Sequence, residues 1–295
     1  MKSGIIAVIG RANAGKSTLV NVLVGEKVAI VSPKPQTTRE NIMGVLNGEG
    51  FQAVFVDTPG LYKASGALSR YMQKSAENAA KDVDLIIYAV DGHKGLGAED
   101  MKNIERHFQS DIPLIVAFTK TDIMEKERVP QELAKLSEIA ERADIIPVSA
   151  RKGRNISELL KLIEEKLPEG EPLYPEDVVS DKSEKFMVSE IMREKILLLY
   201  EKEIPHGAAV VLNEFYRRED GVYEVNLDII CEKPNHKGII IGKGGWALKE
   251  ALSFARKDME KFLDSKVFLT AYVKVKEDWR SRESLVKEFG YDDKF

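Results

Sequence analysis

The sequence has 295 residues, about twice the length typical of one domain, so it predicts two domains. Apolar residues make up 43% of the chain, which is enough for buried cores and argues against a disordered protein. The 44 basic and 48 acidic residues leave a net charge of −4, so a wholly basic nucleic-acid coat is excluded, whereas local basic patches are not. A single cysteine excludes an internal disulfide framework and a cysteine-clustered zinc site. The apolar runs fall far short of the ~18 residues of a membrane span and the N-terminal residues predict a strand, not a signal peptide, so we expect a cytoplasmic protein.

The first part of the chain alternates short apolar strands with longer amphipathic helices. Strands are predicted at 5–9, 51–56, 85–90, 114–118 and 144–148, and helices at 16–24, 67–82, 98–109, 130–142 and 155–167. Strands that lack a polar face and alternate with helices are typical of a parallel sheet covered on both sides. A further strand at 42–46 is joined to the next by an Asn-Gly-Glu-Gly turn, which predicts one antiparallel hairpin. Residues 1–167 are therefore expected to form an α/β domain with a mixed, mostly parallel sheet of about six strands.

A change of pattern after residue 167 marks the second domain. Residues 168–184 contain three prolines and six acidic residues against one lysine, which is typical of a linker. A helix at 185–203 follows, then strands at 208–216 and 222–231, a short helix, a glycine loop, a helix at 246–263 and a last strand at 267–275. Residues 185–295 are expected to form a smaller α+β domain with a C-terminal tail.

The segment after the first strand carries the phosphate-loop motif G-x-x-x-x-G-K-S. Its residues, with the threonine that follows, are Gly10, Arg11, Ala12, Asn13, Ala14, Gly15, Lys16, Ser17 and Thr18. The glycines let successive backbone N–H groups point at phosphates, and the N-terminus of the next helix adds a positive dipole end. Lys16 is expected to reach the β- and γ-phosphates, and the Ser17 hydroxyl to bind Mg²⁺. The motif predicts a nucleoside triphosphate site.

A second phosphate-site motif follows the strand at 51–56. Its residues are Asp57, Thr58, Pro59 and Gly60. A carboxylate at the carboxyl end of a strand beside the first is placed to hold Mg²⁺ through water, and the Gly60 N–H to contact a γ-phosphate. The spacing of about forty residues from the phosphate loop makes the pair specific for a nucleotide-hydrolysing site.

Two loops after later strands indicate the base. Their candidate residues are Thr119, Lys120, Asp122, Ser149 and Ala150. These residues resemble the guanine motifs N-K-x-D and S-A of the translation-factor-like GTPases, with Thr119 in place of the usual asparagine. The resemblance implies that Asp122 accepts hydrogen bonds from guanine N1–H and its amine, that Lys120 covers the ring and that the Ala150 N–H meets O6. An ATP-dependent kinase or transferase is the alternative, and Asp122 opposes it.

The same resemblance assigns the switch segments. It places the first switch at 32–41, with Thr38 instead of Thr37 as the Mg²⁺ ligand, and the second at 61–70. The metal ligands are then Ser17, Thr38 and Asp57, and the residues assigned to catalysis are Lys16, Thr38 and Gly60.

Two further residues bear on the hydrolysis rate. Leu61 stands where Ras-like GTPases carry the glutamine that orients the attacking water. Leucine cannot orient water, so intrinsic hydrolysis is expected to be slow, on the order of 10⁻⁴ s⁻¹. In related GTPases an asparagine at the position of Asn13 helps to hold a potassium ion, so the resemblance makes K⁺ a candidate cofactor beside Mg²⁺. Asn13 is equally typical of a polar turn residue.

A glycine loop in the second half indicates nucleic-acid binding. Its residues are Ile241, Gly242, Lys243, Gly244 and Gly245. Glycines at a helix–helix junction let an RNA backbone lie against the main chain. Residues 233–287 carry 13 Lys/Arg and 7 Asp/Glu, a local balance of 13 − 7 = +6. Phe268 and Tyr272 alternate with apolar residues on the last strand, as a base-stacking surface would require. The element order resembles the bacterial type of KH domain, which implies single-stranded RNA binding.

The whole layout resembles the Era family, with a P-loop GTPase domain joined by a short linker to a KH domain. The resemblance covers essentially the full chain and implies a GTP-controlled factor that binds single-stranded rRNA near the 3′ end of the small-subunit rRNA during small ribosomal subunit assembly. It also implies GTP and GDP as ligands, a monomer, and peripheral association with the inner membrane by family likeness alone. A GTPase whose C-terminal domain binds a protein partner instead of RNA is the alternative.

Overall fold

The computed structural model describes residues 1–60, 66–108, 110–125, 127–139 and 143–292, with no side-chain description for 137–139. These residues divide into two compact units. The first comprises the described residues of the ranges 1–29, 38–63 and 72–181, and the second those of 30–37, 64–71 and 182–295. Each unit has its own buried core. In the described part of the chain, no helix is both long enough and apolar enough to span a bilayer.

The first unit is an α/β domain. Its helices and strands are β1 (Lys2–Gly10), α1 (Lys16–Val24), β2 (Ile42–Gly48), β3 (Phe51–Asp57), α2 (Ala67–Ala79, which begins in the second unit), β4 (Leu85–Asp91), α3 (Ala98–His107), β5 (Leu114–Thr119), α4 (Arg128–Ile139), β6 (Asp144–Pro147) and α5 (Ile156–Lys166). Its described residues form a six-stranded sheet in the order β2-β3-β1-β4-β5-β6. β2 pairs antiparallel with β3 and the other neighbours are parallel, as the sequence predicts.

The central strands bring the site motifs to one edge of this sheet. Every residue of β3, β4 and β5 is buried, because helices cover both faces. Parallel strands end at the same edge, so the residues after β1, β3, β4 and β5 become neighbours. The site in the first unit is built at that edge.

The proline-rich segment 168–181, which the sequence predicts as part of a linker, is bound to the first unit by hydrogen bonds. Its backbone follows the edge of the first unit, where Val45 N–H donates to the Val179 carbonyl and Ser180 forms a bridge with Gly44. The Gln52 side chain accepts from the backbone N–H groups of Leu173 and Tyr174. Gln52, a buried residue of β3, thus binds a segment that lies more than a hundred residues later in the sequence. Amino-acid composition alone could not reveal this long-range contact.

The second unit is an α+β domain. Its further elements are α6 (Glu184–Leu199), β7 (Ala209–Arg217), β8 (Tyr223–Cys231), α7 (Pro234–Ile241), α8 (Trp246–Phe262), β9 (Val267–Val275) and α9 (Glu283–Glu288). Its described residues form a three-stranded sheet in which β8 pairs antiparallel with β7 and parallel with β9. One face of the sheet packs in a core with residues of α6, α7 and α8. The side chains of Cys231 and Trp279 are buried in this unit.

Candidate nucleotide and RNA sites

The phosphate loop has the backbone conformation that its glycines permit. Gly10 and Gly15 have φ angles of 144° and 87°, and Asn13 adopts a left-handed φ of 64°. A Cβ on Gly10 would lie 2.4 Å from the Ala89 carbonyl oxygen, so no side chain fits there. The loop runs directly into α1, whose first residue is Lys16. Loop amides and a helix N-terminus therefore face the same space, as anion binding requires.

Lys16 spans the mouth of this loop. Its Nζ donates to the carbonyl oxygens of Gly10 at 3.2 Å and Arg11 at 3.1 Å. The side chain is 6% exposed. Burial lowers the pKa of Lys16 to about 8, against a smaller opposing effect of Asp57. The buried ammonium is thus poised to gain from an anionic ligand.

Three oxygen-bearing side chains meet beside the loop. Ser17 Oγ donates to Asp57 Oδ2 at 2.6 Å and lies 2.8 Å from Thr38 Oγ1, which is 3.1 Å from the same carboxylate oxygen. Thr37 instead donates to the Lys34 carbonyl. Thr38, and not Thr37, therefore belongs to the cluster, as the resemblance implies.

The cluster fits a hard divalent cation. Asp57 is fully buried, and its Oδ1 has no hydrogen-bond partner among the described residues. Burial raises the pKa of Asp57, and the nearby Lys16 and hydroxyls lower it in part. Hydroxyl and carboxylate oxygens are ligands that Mg²⁺ accepts, often with water between. An orphaned buried carboxylate oxygen is the feature that a bound cation or its water would satisfy.

The D-x-x-G segment closes against the phosphate loop. The Thr58 hydroxyl donates to the Val8 carbonyl at 2.9 Å. A Cβ on Gly60 would lie 2.6 Å from Ala12 Cα, so glycine is required for this approach. Pro59 lies between them and is buried. Leu61 lies outside the described residues, so the interpretation of its role stays a prediction.

Thr119 joins the base loop to the phosphate loop. Its Oγ1 lies 2.7 Å from the Ala14 carbonyl oxygen and 2.9 Å from that of Val90. A hydroxyl has one proton, so it donates to one of the two at a time. The threonine hydroxyl therefore tethers the base loop at the position where the guanine motif has asparagine.

The two base motifs contact each other. Ser149 is fully buried, and its Oγ donates to Asp122 Oδ1 at 2.7 Å, which orients the carboxylate. Ala150 follows at the start of a short helical turn. Lys120 has a φ of 58° and donates to the Asn13 carbonyl at 2.5 Å. The Ser149 contact thus joins the two base motifs, and the Lys120 contact joins the base loop to the phosphate loop.

Sequence reasoning missed two acidic partners in this unit. Asp91 Oδ2 lies 2.8 Å from Lys120 Nζ. Asp100, 2% exposed on α3, accepts from the Arg11 guanidinium at 3.0 Å and from the Tyr88 hydroxyl at 3.1 Å. The ion pair turns the Arg11 side chain towards α3. The sequence does carry a signal for Asp91: it is the last residue of β4, as Asp57 is the last residue of β3, and Asp122 follows β5.

The glycine loop of the second unit connects α7 to α8. Gly242, Gly244 and Gly245 have φ angles of 72°, 61° and 79°. A Cβ on Gly242 would lie 2.7 Å from the Ala247 Cβ, while nothing lies within 4 Å of one on Gly244. Lys243 is exposed and Ile241 is half-buried. The loop thus presents open backbone and a cation at its tip.

A groove of about 410 Å³ begins at this loop. It is lined by Gly245, Leu248, Lys249, Leu252, Ser253, Arg256 and Leu269. Apart from Gly245 of the loop, the lining residues belong to α8, with Leu269 contributed by β9. Successive strand residues point to opposite faces, so the exposed Phe268 and Tyr272 lie on the other side of the sheet from Leu269. The expected stacking face and the groove are therefore two different surfaces.

Comparison with known proteins finds a GTPase domain and a KH domain in this chain. A family model described as 50S ribosome-binding GTPase matches residues 5–120, and one described as KH domain matches residues 203–280. GTPase Era of Clostridium kluyveri is 48% identical over 291 residues and covers 99% of each chain. GTPase Era of Clostridium botulinum strain Loch Maree is 47% identical over 290 residues and covers 98% of each chain.

Two solved structures share the whole fold. One is Era in complex with MgGDPNP and nucleotides 1506–1542 of 16S ribosomal RNA, and the other is a variant of Aquifex aeolicus Era bound to GDP·AlF4⁻. Each has a TM-score of 0.94 and 38% sequence identity, and each alignment covers 99% of both chains. The relatives named above are 47–48% identical over nearly the whole chain, and the chain has both the phosphate loop with its oxygen cluster and the KH module. The chain therefore belongs to the Era family of GTPases.

Proposed function

We propose that this chain is a GTP-hydrolysing switch that binds small-subunit rRNA near its 3′ end and acts in small ribosomal subunit assembly. The observation that carries the proposal is full-length similarity to an Era protein solved with MgGDPNP and 16S rRNA, in a chain that has both a phosphate loop and a glycine-loop groove. A fold alone would not license a function, but here the residues of each site accompany it.

The nucleotide is held by residues of the first unit. Loop amides and Lys16 bind the phosphates, and Ser17, Thr38 and Asp57 hold Mg²⁺, directly or through water. Bound Mg²⁺ neutralises charge that develops on the phosphates. The guanine ring would pack under the Lys120 stem, and its N1–H and amine would donate to the Asp122 carboxylate, which Ser149 orients.

Hydrolysis relies on positioning more than on an acid or base. Gly60 lies against Ala12 of the phosphate loop, and its backbone N–H would contact the γ-phosphate. With no glutamine at position 61, the intrinsic rate is slow. Potassium held at Asn13 is the assisting cation that family likeness suggests, and replacing K⁺ by Na⁺ at equal ionic strength tests it. Equal rates in the two salts would remove potassium from the mechanism.

RNA lies along the glycine loop and the groove beyond it. Open backbone at Gly244 and the exposed Lys243 suit a phosphate. Lys249 and Arg256 add cations beside the apolar wall formed by Leu248 and Leu252. A groove with apolar walls and cationic edges suits single-stranded bases with their backbone.

The small subunit is the better assignment of ribosomal partner. The family model whose description names the 50S subunit matches only residues 5–120. The Era structure with 16S rRNA aligns over 99% of the chain, including the RNA-binding module. The longer alignment carries more weight because it contains the groove.

The testing experiment measures RNA and nucleotide selectivity of the full-length protein. An RNA with the sequence of 16S nucleotides 1506–1542 should bind more tightly than a shuffled RNA of the same length, and binding should weaken steeply with salt. GTP, and not ATP, should displace labelled GDP. Equal binding of both RNAs would contradict the 3′-end assignment, and binding of neither would favour the protein-binding alternative for the C-terminal domain.

A further inference from the structure

Asp91 stands at the end of β4, directly beside the base loop. It is 8% exposed and pairs in register with Thr119 across the sheet. The next residue, Gly92, donates its N–H to the Thr119 carbonyl at 3.0 Å, and a Cβ there would lie 2.4 Å from that oxygen. The end of β4 is therefore packed against the backbone of the base loop.

The carboxylate of Asp91 uses both oxygens. Oδ2 accepts from Lys120 Nζ at 2.8 Å, and Oδ1 accepts from the His93 and Lys94 backbone N–H groups at 3.1 and 3.4 Å. The turn after β4 thus fixes the carboxylate before it meets the lysine. A fixed anion gives the flexible lysine one preferred orientation.

Lys120 is anchored at its far end by two acceptors, Asp91 Oδ2 and the Asn13 carbonyl. Anchoring the ammonium holds the four-carbon stem in one conformation, and the stem is the part that packs on a base ring. Because the stem is ordered before the nucleotide arrives, nucleotide binding has a smaller entropic cost.

We propose that Asp91 is a positioning residue for guanine nucleotide, acting through Lys120. The inference rests on the guanine site proposed above. Stacking by a lysine stem does not read the base edge, whereas Asp122 does. Loss of Asp91 should therefore weaken every nucleotide whose ring Lys120 covers, without changing the discrimination at the exocyclic amine.

The test compares GDP and IDP, which lacks that amine, on full-length Asp91→Asn. The amide keeps an oxygen for the turn but loses the charge that holds the ammonium. We expect both dissociation constants to rise about tenfold, as for loss of a charge-assisted hydrogen bond, with their ratio unchanged. Asp111→Asn, at an exposed carboxylate, is the matched control and should bind as the parent does. Thermal unfolding reports whether each variant is folded.

A double-mutant cycle with Lys120→Met separates positioning from general structure. In that background Asp91→Asn should cost no further affinity, because the group that Asp91 orients is gone. Asp91→Glu, which keeps the charge, should retain affinity within about threefold of the parent and serves if the asparagine variant does not fold.

The inference is overturned if Asp91→Asn binds GDP as tightly as the parent, or if it changes the ratio of the GDP and IDP dissociation constants. It is also overturned if Asp91→Asn lowers GDP affinity as much in the Lys120→Met background as in the parent, or if Asp91→Glu lowers it tenfold. If instead the unmodified protein binds ADP as well as GDP, the guanine site itself is refuted, and that result is distinguishable from any of these.

Discussion

The hydroxyl oxygen of Thr119 lies 2.7 Å from the carbonyl oxygen of Ala14, so one side chain joins the base loop to the phosphate loop. The residue is 4% exposed, and the Val90 carbonyl is the second acceptor in reach. An interaction between the two loops couples recognition of the base to the conformation that binds the phosphates.

Thr119→Val should weaken GDP binding about tenfold. Valine has nearly the same shape but no donor, so a buried carbonyl is left unpaired at a cost of about 1–3 kcal/mol. Thr119→Ser keeps the hydroxyl and is the control. Thr119→Asn brings two amide protons and should bind GDP at least as tightly as the parent. Titration with fluorescent GDP measures all four proteins, and parent-like affinity of the valine variant would show that the tether does not contribute.

Asp122→Asn should lose affinity for GDP and gain affinity for xanthosine diphosphate. Xanthine has an oxygen where guanine has its amine, so it needs a donor where guanine needs an acceptor. Ser149 can still hold the amide oxygen of the new side chain by the same contact. Competition assays with both nucleotides provide the measurement, with Asp111→Asn as control. An unchanged preference for GDP would place the base elsewhere.

Nucleotide affinity should fall as the pH rises through about 8. Burial lowers the pKa of Lys16 to about 8, and a bound phosphate favours the charged lysine. Below that pH the lysine is already protonated. Above pH 8 the lysine must gain a proton when the nucleotide binds, so the affinity falls by up to about tenfold per pH unit. Calorimetry at pH 8.5 in two buffers of different ionisation enthalpy measures the uptake. The Lys16→Arg variant should lack it, and zero uptake by the parent would contradict the expectation.

Replacing Lys243 and Gly244 together by aspartates should abolish RNA binding and leave GTP hydrolysis measurable. The change puts two anions where the RNA backbone is expected to pass, and aspartate tolerates the left-handed φ of 61° at position 244 better than most residues. Lys261→Asp, at an exposed lysine late in α8, is the charge-reversal control. RNA binding by the double variant at the parent's affinity would refute the proposed groove.

Gly242→Ala should destabilise the second unit and weaken RNA binding. The residue has φ 72° and ψ 174°, a conformation that costs other residues about 1–3 kcal/mol, and its Cβ would meet Ala247 at 2.7 Å. Gly238→Ala is the matched control, because that position lies inside α7 with nothing within 4 Å of a Cβ. It should stabilise α7 by about 0.5–1 kcal/mol. Chemical denaturation measures both, and equal effects would contradict the argument.

Contiguous features of this protein could be predicted from the sequence alone. The phosphate loop is one, because eight successive residues impose its backbone and only glycine accepts a φ of 144° beside the Ala89 carbonyl. The order of strands and helices is another, since apolar runs and periodicity are local. The β2–β3 hairpin follows from its turn, and the glycine loop from its position between two helical segments.

Relationships between distant residues were decided only by the tertiary structure. Asp91 became a partner of Lys120 because β4 and β5 pair in register, and periodicity carries no trace of which charges meet across a sheet. The alternation of apolar residues with Phe268 and Tyr272 along β9 could be predicted from the sequence. Which face of β9 lines the groove depends on where α8 packs. The family resemblance selects Thr38 over Thr37, but only the folded chain shows that the Thr38 hydroxyl lies 3.1 Å from Asp57 Oδ2. Local sequence determines backbone conformation and element type, whereas long-range packing determines which side chains share one site.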